Sequence, residues 1–255
     1  MRPTSCCRSG LSAAFVAFAI AAIAAVAPAA AGAAPSSIAP GAPGAKAFWT
    51  PADKQGFGTA MNTRSKVWHT LQGGELTEVY YPDLSTPALR DLQLIVTDGK
   101  TFTDRETDAT NQHVELVDEH SLTYRQVNTA KSGRYRIVKT YVTDPSRNTL
   151  LVDVRFQSLT GRPYQVYAYV DPSLSNDGSD DSGTTSHGAL LTQDAAAGSA
   201  LVAEPSFGRT STGYLDASDG WVDLRDDHRM DWHYRSSPNG NVVQTAQTSL
   251  DGLRH

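Results

Sequence analysis

Leu150-Leu151-Val152-Asp153-Val154-Arg155-Phe156-Gln157 alternates between two kinds of side chain along most of its length. Leu150, Val152, Val154 and Phe156 would face one way, with Leu151, Asp153, Arg155 and Gln157 facing the other. A period of two over such a length describes a half-buried strand and has no helical reading. Thr160-Gly161-Arg162-Pro163 is a reversal signal, and residues 164–170 read as the partner strand. There Val166, Ala168 and Val170 fill one face, and Gln165, Tyr167 and Tyr169 fill the other.

The same rhythm extends on both sides. Residues 66–71 and 75–81 flank Gln72-Gly73-Gly74, which predicts a hairpin. Residues 92–97 run into Asp98-Gly99, a type I′ turn signal, and return through residues 101–103. Residues 121–129 and 134–143 flank Lys131-Ser132-Gly133, and Asp144-Pro145-Ser146-Arg147-Asn148 turns the chain into the opening stretch. No window beyond residue 35 sustains the i, i+3, i+4, i+7 spacing of an amphipathic helix. No repeat of fixed period appears, which disfavours a propeller. Antiparallel hairpins with one dry face each predict an all-β protein built as two packed sheets.

The first 34 residues stand outside this pattern. Arg2 and Arg8 precede an apolar stretch at residues 11–27, and Ala29-Ala30-Ala31-Gly32-Ala33-Ala34 offers small-residue cleavage sites. These are the marks of a secretory signal peptide cut near residues 31–34, so a secreted protein with no membrane anchor is expected. Cys6 and Cys7 lie before the apolar stretch, so the remaining chain has no thiol chemistry. Residues 35–47 (PSSIAPGAPGAKA) read as a linker with nothing to bury, and residues 48–255 as one β-sandwich domain. With 22 Lys and Arg against 27 Asp and Glu, the chain carries a formal charge of −5. That balance argues against a nucleic-acid partner, whose footprint would be basic.

Few constellations carry chemistry. Residues 171–183 are the most polar stretch, and oxygen donors on a loop suit calcium. Asp177, Asp180 and Asp181 are its candidate ligands, although a solvated loop is the plainer reading. The seven histidines (69, 113, 120, 187, 228, 233 and 255) show no zinc spacing, although Asp231 and His233 would share a strand face. There is no GxSxG elbow, phosphate loop or GxGxxG, and no carboxylate pair stands out for glycosidic chemistry. Aromatic side chains are more informative, because flat rings with polar edges stack on sugars. Trp68, Tyr80 and Tyr81 cluster around the hairpin that ends in Tyr81-Pro82-Asp83. With Asp83 and Trp232 they are the candidate carbohydrate or domain contacts.

That hairpin carries a resemblance. Lys66-Val67-Trp68-His69-Thr70-Leu71, followed by Gly74-Glu75-Leu76-Thr77-Glu78-Val79-Tyr80-Tyr81-Pro82-Asp83-Leu84, resembles the N-terminal domain of bacterial glucodextranases and glucoamylases of glycoside hydrolase family 15. Arg90-Asp91-Leu92-Gln93-Leu94-Ile95-Val96-Thr97-Asp98-Gly99, Tyr169-Val170-Asp171-Pro172-Ser173-Leu174, Asp181-Ser182-Gly183 and Gly240-Asn241-Val242-Val243-Gln244-Thr245-Ala246 follow in the same order. Pro51-Ala52-Asp53-Lys54-Gln55-Gly56-Phe57-Gly58-Thr59-Ala60 looks like that domain's opening.

The resemblance implies a large antiparallel super-sandwich similar to the galactose-mutarotase-like fold. In the family this domain precedes an (α/α)6 barrel that hydrolyses α-1,4 or α-1,6 glucosidic bonds with inversion, through an acid and a base glutamate. The present sequence reaches Ser249-Leu250-Asp251-Gly252-Leu253-Arg254-His255 before any helical repeat, so neither glutamate has a counterpart. Its ending is expected to fall before the last strands of the sandwich, which would leave a sheet edge unpaired. The expected function is a non-catalytic domain with the barrel and α-glucan as partners, inactive alone and needing no cofactor beyond the candidate calcium. A free-standing starch- or dextran-binding module is the alternative. A mutarotase-like enzyme would require Glu75 or Glu78 to work with His69 or His113 at an anomeric centre.

Overall fold

The computed structural model describes residues 38–252; the expected signal peptide lies outside them. The chain runs through β1 (Gly56–Thr59), β2 (Trp68–Gln72), β3 (Glu75–Tyr80), β4 (Pro87–Thr97), β5 (Thr103–Arg105) and the single turn α1 (Glu106–Ala109). Next come β6 (Thr110–Asp118), β7 (Thr123–Ala130), β8 (Tyr135–Thr143), β9 (Leu150–Ser158), β10 (Gln165–Pro172), β11 (Asp181–Ser186) and β12 (Ala189–Gln193). The order closes with β13 (Gly198–Leu201), β14 (Thr210–Tyr214), helix α2 (Gly220–Asp227), β15 (Ser236–Gly240) and β16 (Val242–Gln247).

These strands form one eight-stranded sheet and two four-stranded sheets, and every named pairing is antiparallel. The large sheet runs β1-β2-β3-β4-β10-β16-β14, with β5 also on β4. The small sheets run β6-β7-β8-β9 and β13-β12-β11-β15. Leu94, Val96, Val166 and Ala168 of the large sheet meet Ile137 and Phe156 of one small sheet. Val170 and Ala246 on the same face meet Leu190 of the other. The two small sheets therefore make up one layer over the large sheet, giving a two-layer super-sandwich.

The alternation that opens the sequence analysis is visible residue by residue. Along β9 Leu151, Asp153, Arg155 and Gln157 are exposed, while Leu150, Val152, Val154 and Phe156 are covered to varying degrees. Its pairing is different from the expectation. β9 joins β8, whereas β10 lies between β4 and β16, so Thr160-Gly161-Arg162-Pro163 crosses between layers and closes no hairpin. The reason lies in the second face of β10. Tyr167 and Tyr169 are as buried as Val166 and Ala168, covered by Leu215, Leu224 and Met230. A strand dry on both faces belongs inside a sheet. Phe156 and Tyr164 then meet across the sandwich with ring centroids 6.2 Å apart.

Three other expectations are corrected. Residues 38–45, read as linker, are docked: Ala39 N–H donates to Ser236 O at 2.8 Å, Ala45 N–H to Leu215 O at 2.9 Å, and Asn241 N–H to Pro43 O at 2.8 Å. Gly41 sits at φ 89°, where a Cβ would stand 2.7 Å from that of Ala217, so its small residues serve close approach. Helix α2 went unpredicted because it spans only eight residues. Its start is written in Asp219, whose Oδ1 accepts the N–H of Trp221 at 2.7 Å and of Val222 at 3.0 Å. Asp98-Gly99 is not a two-residue turn: the strands close at Thr97 and Thr103, and Asp98 Oδ1 accepts the N–H of Lys100 and Thr101 within the loop.

Candidate functional site

The β2–β3 hairpin presents the aromatic candidates. Trp68 lies opposite Tyr80, both half-buried, and a bulge follows at Thr70/Leu71. Beneath them the buried Glu78 accepts from Thr50 Oγ1 and Thr70 Oγ1, each at 2.6 Å, and pairs with Lys54 Nζ at 2.8 Å. Burial, and then the Glu78 charge, raise the Tyr80 phenol above its ordinary range, keeping it a neutral hydrogen-bonding group. Tyr81 leaves the strand and lines a cleft between the layers. Asp83 anchors the turn that follows. Its Oδ1 accepts Ser85 Oγ at 2.6 Å and Ser85 N–H at 3.0 Å, and these bonds hold the exposed carboxyl below the usual range.

The other candidates lie elsewhere. Trp232 contacts Tyr234 at 6.0 Å between ring centroids, and Tyr234 O accepts from Thr212 of β14. Because β14 is five strand positions from β2, Trp232 belongs to a different patch from Trp68. Asp231 and His233 precede β15 and are not on a strand. The polar stretch 171–183 is not simply a solvated loop: Asp171, Ser173, Leu174 and Asp181 are buried, while Asp177 and Asp180 are exposed. Asp177 accepts from Ser179 within its own turn. Asp181 Oδ2 accepts Leu174 N–H at 3.1 Å, and burial pushes its carboxyl up to about 7. Among the described residues no group of three or more His, Cys, Asp or Glu could hold a metal ion.

Sequence reasoning missed the buried charges. Arg90 donates through Nε to Asp171 Oδ2 at 2.7 Å, with Nη2 at 2.6 Å, while its guanidinium lies 4.5 Å from the Phe48 ring centroid. Beside it Gln93 Nε2 donates to Asp91 at 2.6 Å and Glu75 at 3.3 Å. Burial and the Asp91 charge push the Glu75 carboxyl up to about 10, so it stays protonated at neutral pH. A second group sits where β3 and β5 leave a gap along β4. There the fully buried Glu106 accepts Leu94 N–H at 2.7 Å and pairs with Lys139 Nζ at 2.7 Å. The signal for both groups was a charged residue inside an apolar strand, such as Arg90 and Lys139.

The geometry does not assemble the mutarotase-like set. His69 faces Tyr141 between the layers and contacts Thr143 Oγ1 at 3.4 Å; burial lowers its pKa to about 4. Glu75 is engaged by Gln93, Glu78 by Lys54, and His113 is exposed on β6. Two adjoining clefts, of about 580 and 830 Å³, open instead between β9 and the β13 side, and their walls are mostly apolar.

Comparison with known proteins agrees with this architecture. The family model described as "Glucodextranase, domain N" matches residues 39–255. A glucoamylase from Clostridium sp. (strain G0005) is 38% identical over 208 residues, covering 79% of this chain and 30% of that protein. The crystal structure of a bacterial glucoamylase complexed with acarbose superimposes with a TM-score of 0.81 at 37% identity, covering 84% of this chain and 33% of that one. The chain thus spans about a third of the length of the relatives it matches. The family match and both relatives agree with the sandwich: the chain belongs to the glucodextranase N-domain family, the N-terminal β-sandwich of glucoamylase-type proteins.

Proposed function

We propose that this is a secreted, non-catalytic framing domain that braces an (α/α)6 glucan-hydrolase barrel and borders its substrate entrance. The observation that carries the proposal is how the buried carboxylates are used. Glu78, Asp171 and Glu106 are each held by a cation within 2.6–2.8 Å and serve as internal fasteners. Hydrolysis with inversion calls for two carboxyls ~6.5–9.5 Å apart across an open site. The test mixes the purified chain with the barrel portion of the Clostridium glucoamylase and follows the barrel's thermal unfolding. A rise in its Tm supports bracing; an unchanged Tm with no co-elution contradicts it.

The half-exposed Trp68–Tyr80 pair favours a second reading, a starch- or dextran-binding module. Sedimentation with insoluble starch and cross-linked dextran separates the two, because a purely bracing domain stays in solution.

A further inference from the structure

The large sheet has a second face, turned away from the small sheets, and its two ends differ. Toward β10 and β16, Tyr167, Tyr169 and Val243 lie under Leu215, Leu224 and Met230. Toward β1, β2 and β3, Gly58, His69 and Val79 are register partners that point between the layers, where His69 and Val79 meet Tyr141 of β8. The alternate positions Phe57, Thr59, Trp68, Thr70, Glu78 and Tyr80 therefore share the outer face.

The sequence of β1 shows how its ring comes to face water. Gly56 and Gly58 are the inward positions, and neither has room for a side chain: a Cβ at Gly58 would stand 2.2 Å from the His69 ring, and one at Gly56 3.1 Å from Tyr124. The one large side chain of this edge strand is turned outward, and Phe57 is 42% exposed. Phe57, Trp68 and Tyr80 thus stand on three successive strands of one face. Trp68 and Tyr80 are directly opposite, with Cβ atoms about 4.5–5.5 Å apart, and Phe57 is diagonal to Trp68. Between the rings Glu78 accepts from Thr50, Thr70 and Lys54, and the Tyr80 phenol donates to the same carboxylate. That buried carboxylate fixes the phenol and the partly exposed Lys54 side chain in place.

We propose that Phe57, Trp68 and Tyr80 form one stacking site for a curved, α-linked glucan chain, with the Tyr80 phenol and the Lys54 ammonium bonding its hydroxyls. Rings with fixed polar groups between them match a sugar chain, which presents C–H faces edged by hydroxyls. The twist of the sheet sets the shape of the ligand. Adjacent strands are rotated by roughly 20–25°, so rings carried on three strands do not lie in one plane. A flat β-linked ribbon can stack on two of them and misses the third, whereas an α-linked chain curves with the set. This site rests on the glucan-binding reading of the chain and adds to it a third ring and a choice of chain shape.

The purified chain is titrated with α-linked maltoheptaose and with β-linked cellohexaose. Calorimetry gives the affinities, and NMR follows the Trp68 indole, assigned through Trp68→Phe. Maltoheptaose should bind and shift that indole; cellohexaose should bind more weakly. Phe57→Ala should weaken maltoheptaose binding at least ~5-fold while its thermal unfolding stays that of wild type, and Phe57→Tyr should restore the affinity. An unshifted Trp68, wild-type affinity in Phe57→Ala, or equal binding of cellohexaose overturns the site. The two levels fail separately. A chain that sediments with starch while Trp68 stays unshifted keeps the glucan-binding reading and loses this site; a chain that neither sediments nor binds maltoheptaose loses both.

Discussion

Single residues hold this sandwich by placing charge where water is excluded. Lys139 is joined to Glu106 deep between the layers, and the same carboxylate satisfies Leu94 N–H. Breaking such a pair from one side leaves a buried charge without its partner and costs about 3–5 kcal/mol. Lys139→Met should therefore lower the unfolding free energy in urea by about that amount. Glu106→Leu with Lys139→Met should recover part of the loss, and equal destabilisation of single and double variants would contradict the pairing. Asp181 supplies a pH signature. Its folded pKa, raised by burial to about 7 from 3.8, means the folded state keeps a proton that the unfolded chain has released. Stability from this group is thus present at low pH and lost as pH rises from about 4 to 7. Asp181→Asn removes the dependence, so between pH 5 and pH 8 the wild type should lose more stability than the variant. Parallel losses in denaturant titrations would refute this assignment.

At the scale of elements, what the sequence made legible were faces; partners were harder to read. The alternation in β9 stated which side chains would be covered, and β9 obeys it, whereas β10 is buried on both faces. Whether a reversal joins two strands edge to edge or face to face depends on burial of the second face of β10, which local pattern does not encode. The β2–β3 hairpin was readable because Gly73 and Gly74 adopt φ of 61° and 91° between two short apolar runs. Helix α2 shows the converse: its local cap was present, but its length gave periodicity too little to act on. Asp219 binds the N–H groups of Asp216, Trp221 and Val222. Asp219→Ala should cost about 1–2 kcal/mol, read in thermal unfolding, because the cap and the turn before it fail together. A variant as stable as wild type would show that packing of Leu224 alone holds the helix.

For the whole molecule, the aromatic candidates read from sequence separate into distinct surfaces. Trp68 and Tyr80 share the β2–β3 hairpin, Tyr81 turns to the inter-layer cleft, and Trp232 stands with Tyr234 beside β14. Sequence could name these residues because ring chemistry is local; it could not group them, because strand order in the large sheet is set by distant pairings. The buried ion pairs and the two clefts were invisible for the same reason. The ion pairs describe a domain in which Glu106 is held by Lys139 between the layers and Asp171 by Arg90 within the large sheet, in a family whose longer relatives include glucoamylases. The most direct measurement is release of glucose from maltodextrin and dextran by the purified chain. The account predicts none above the rate of a buffer blank; steady release of glucose proportional to protein concentration would contradict it.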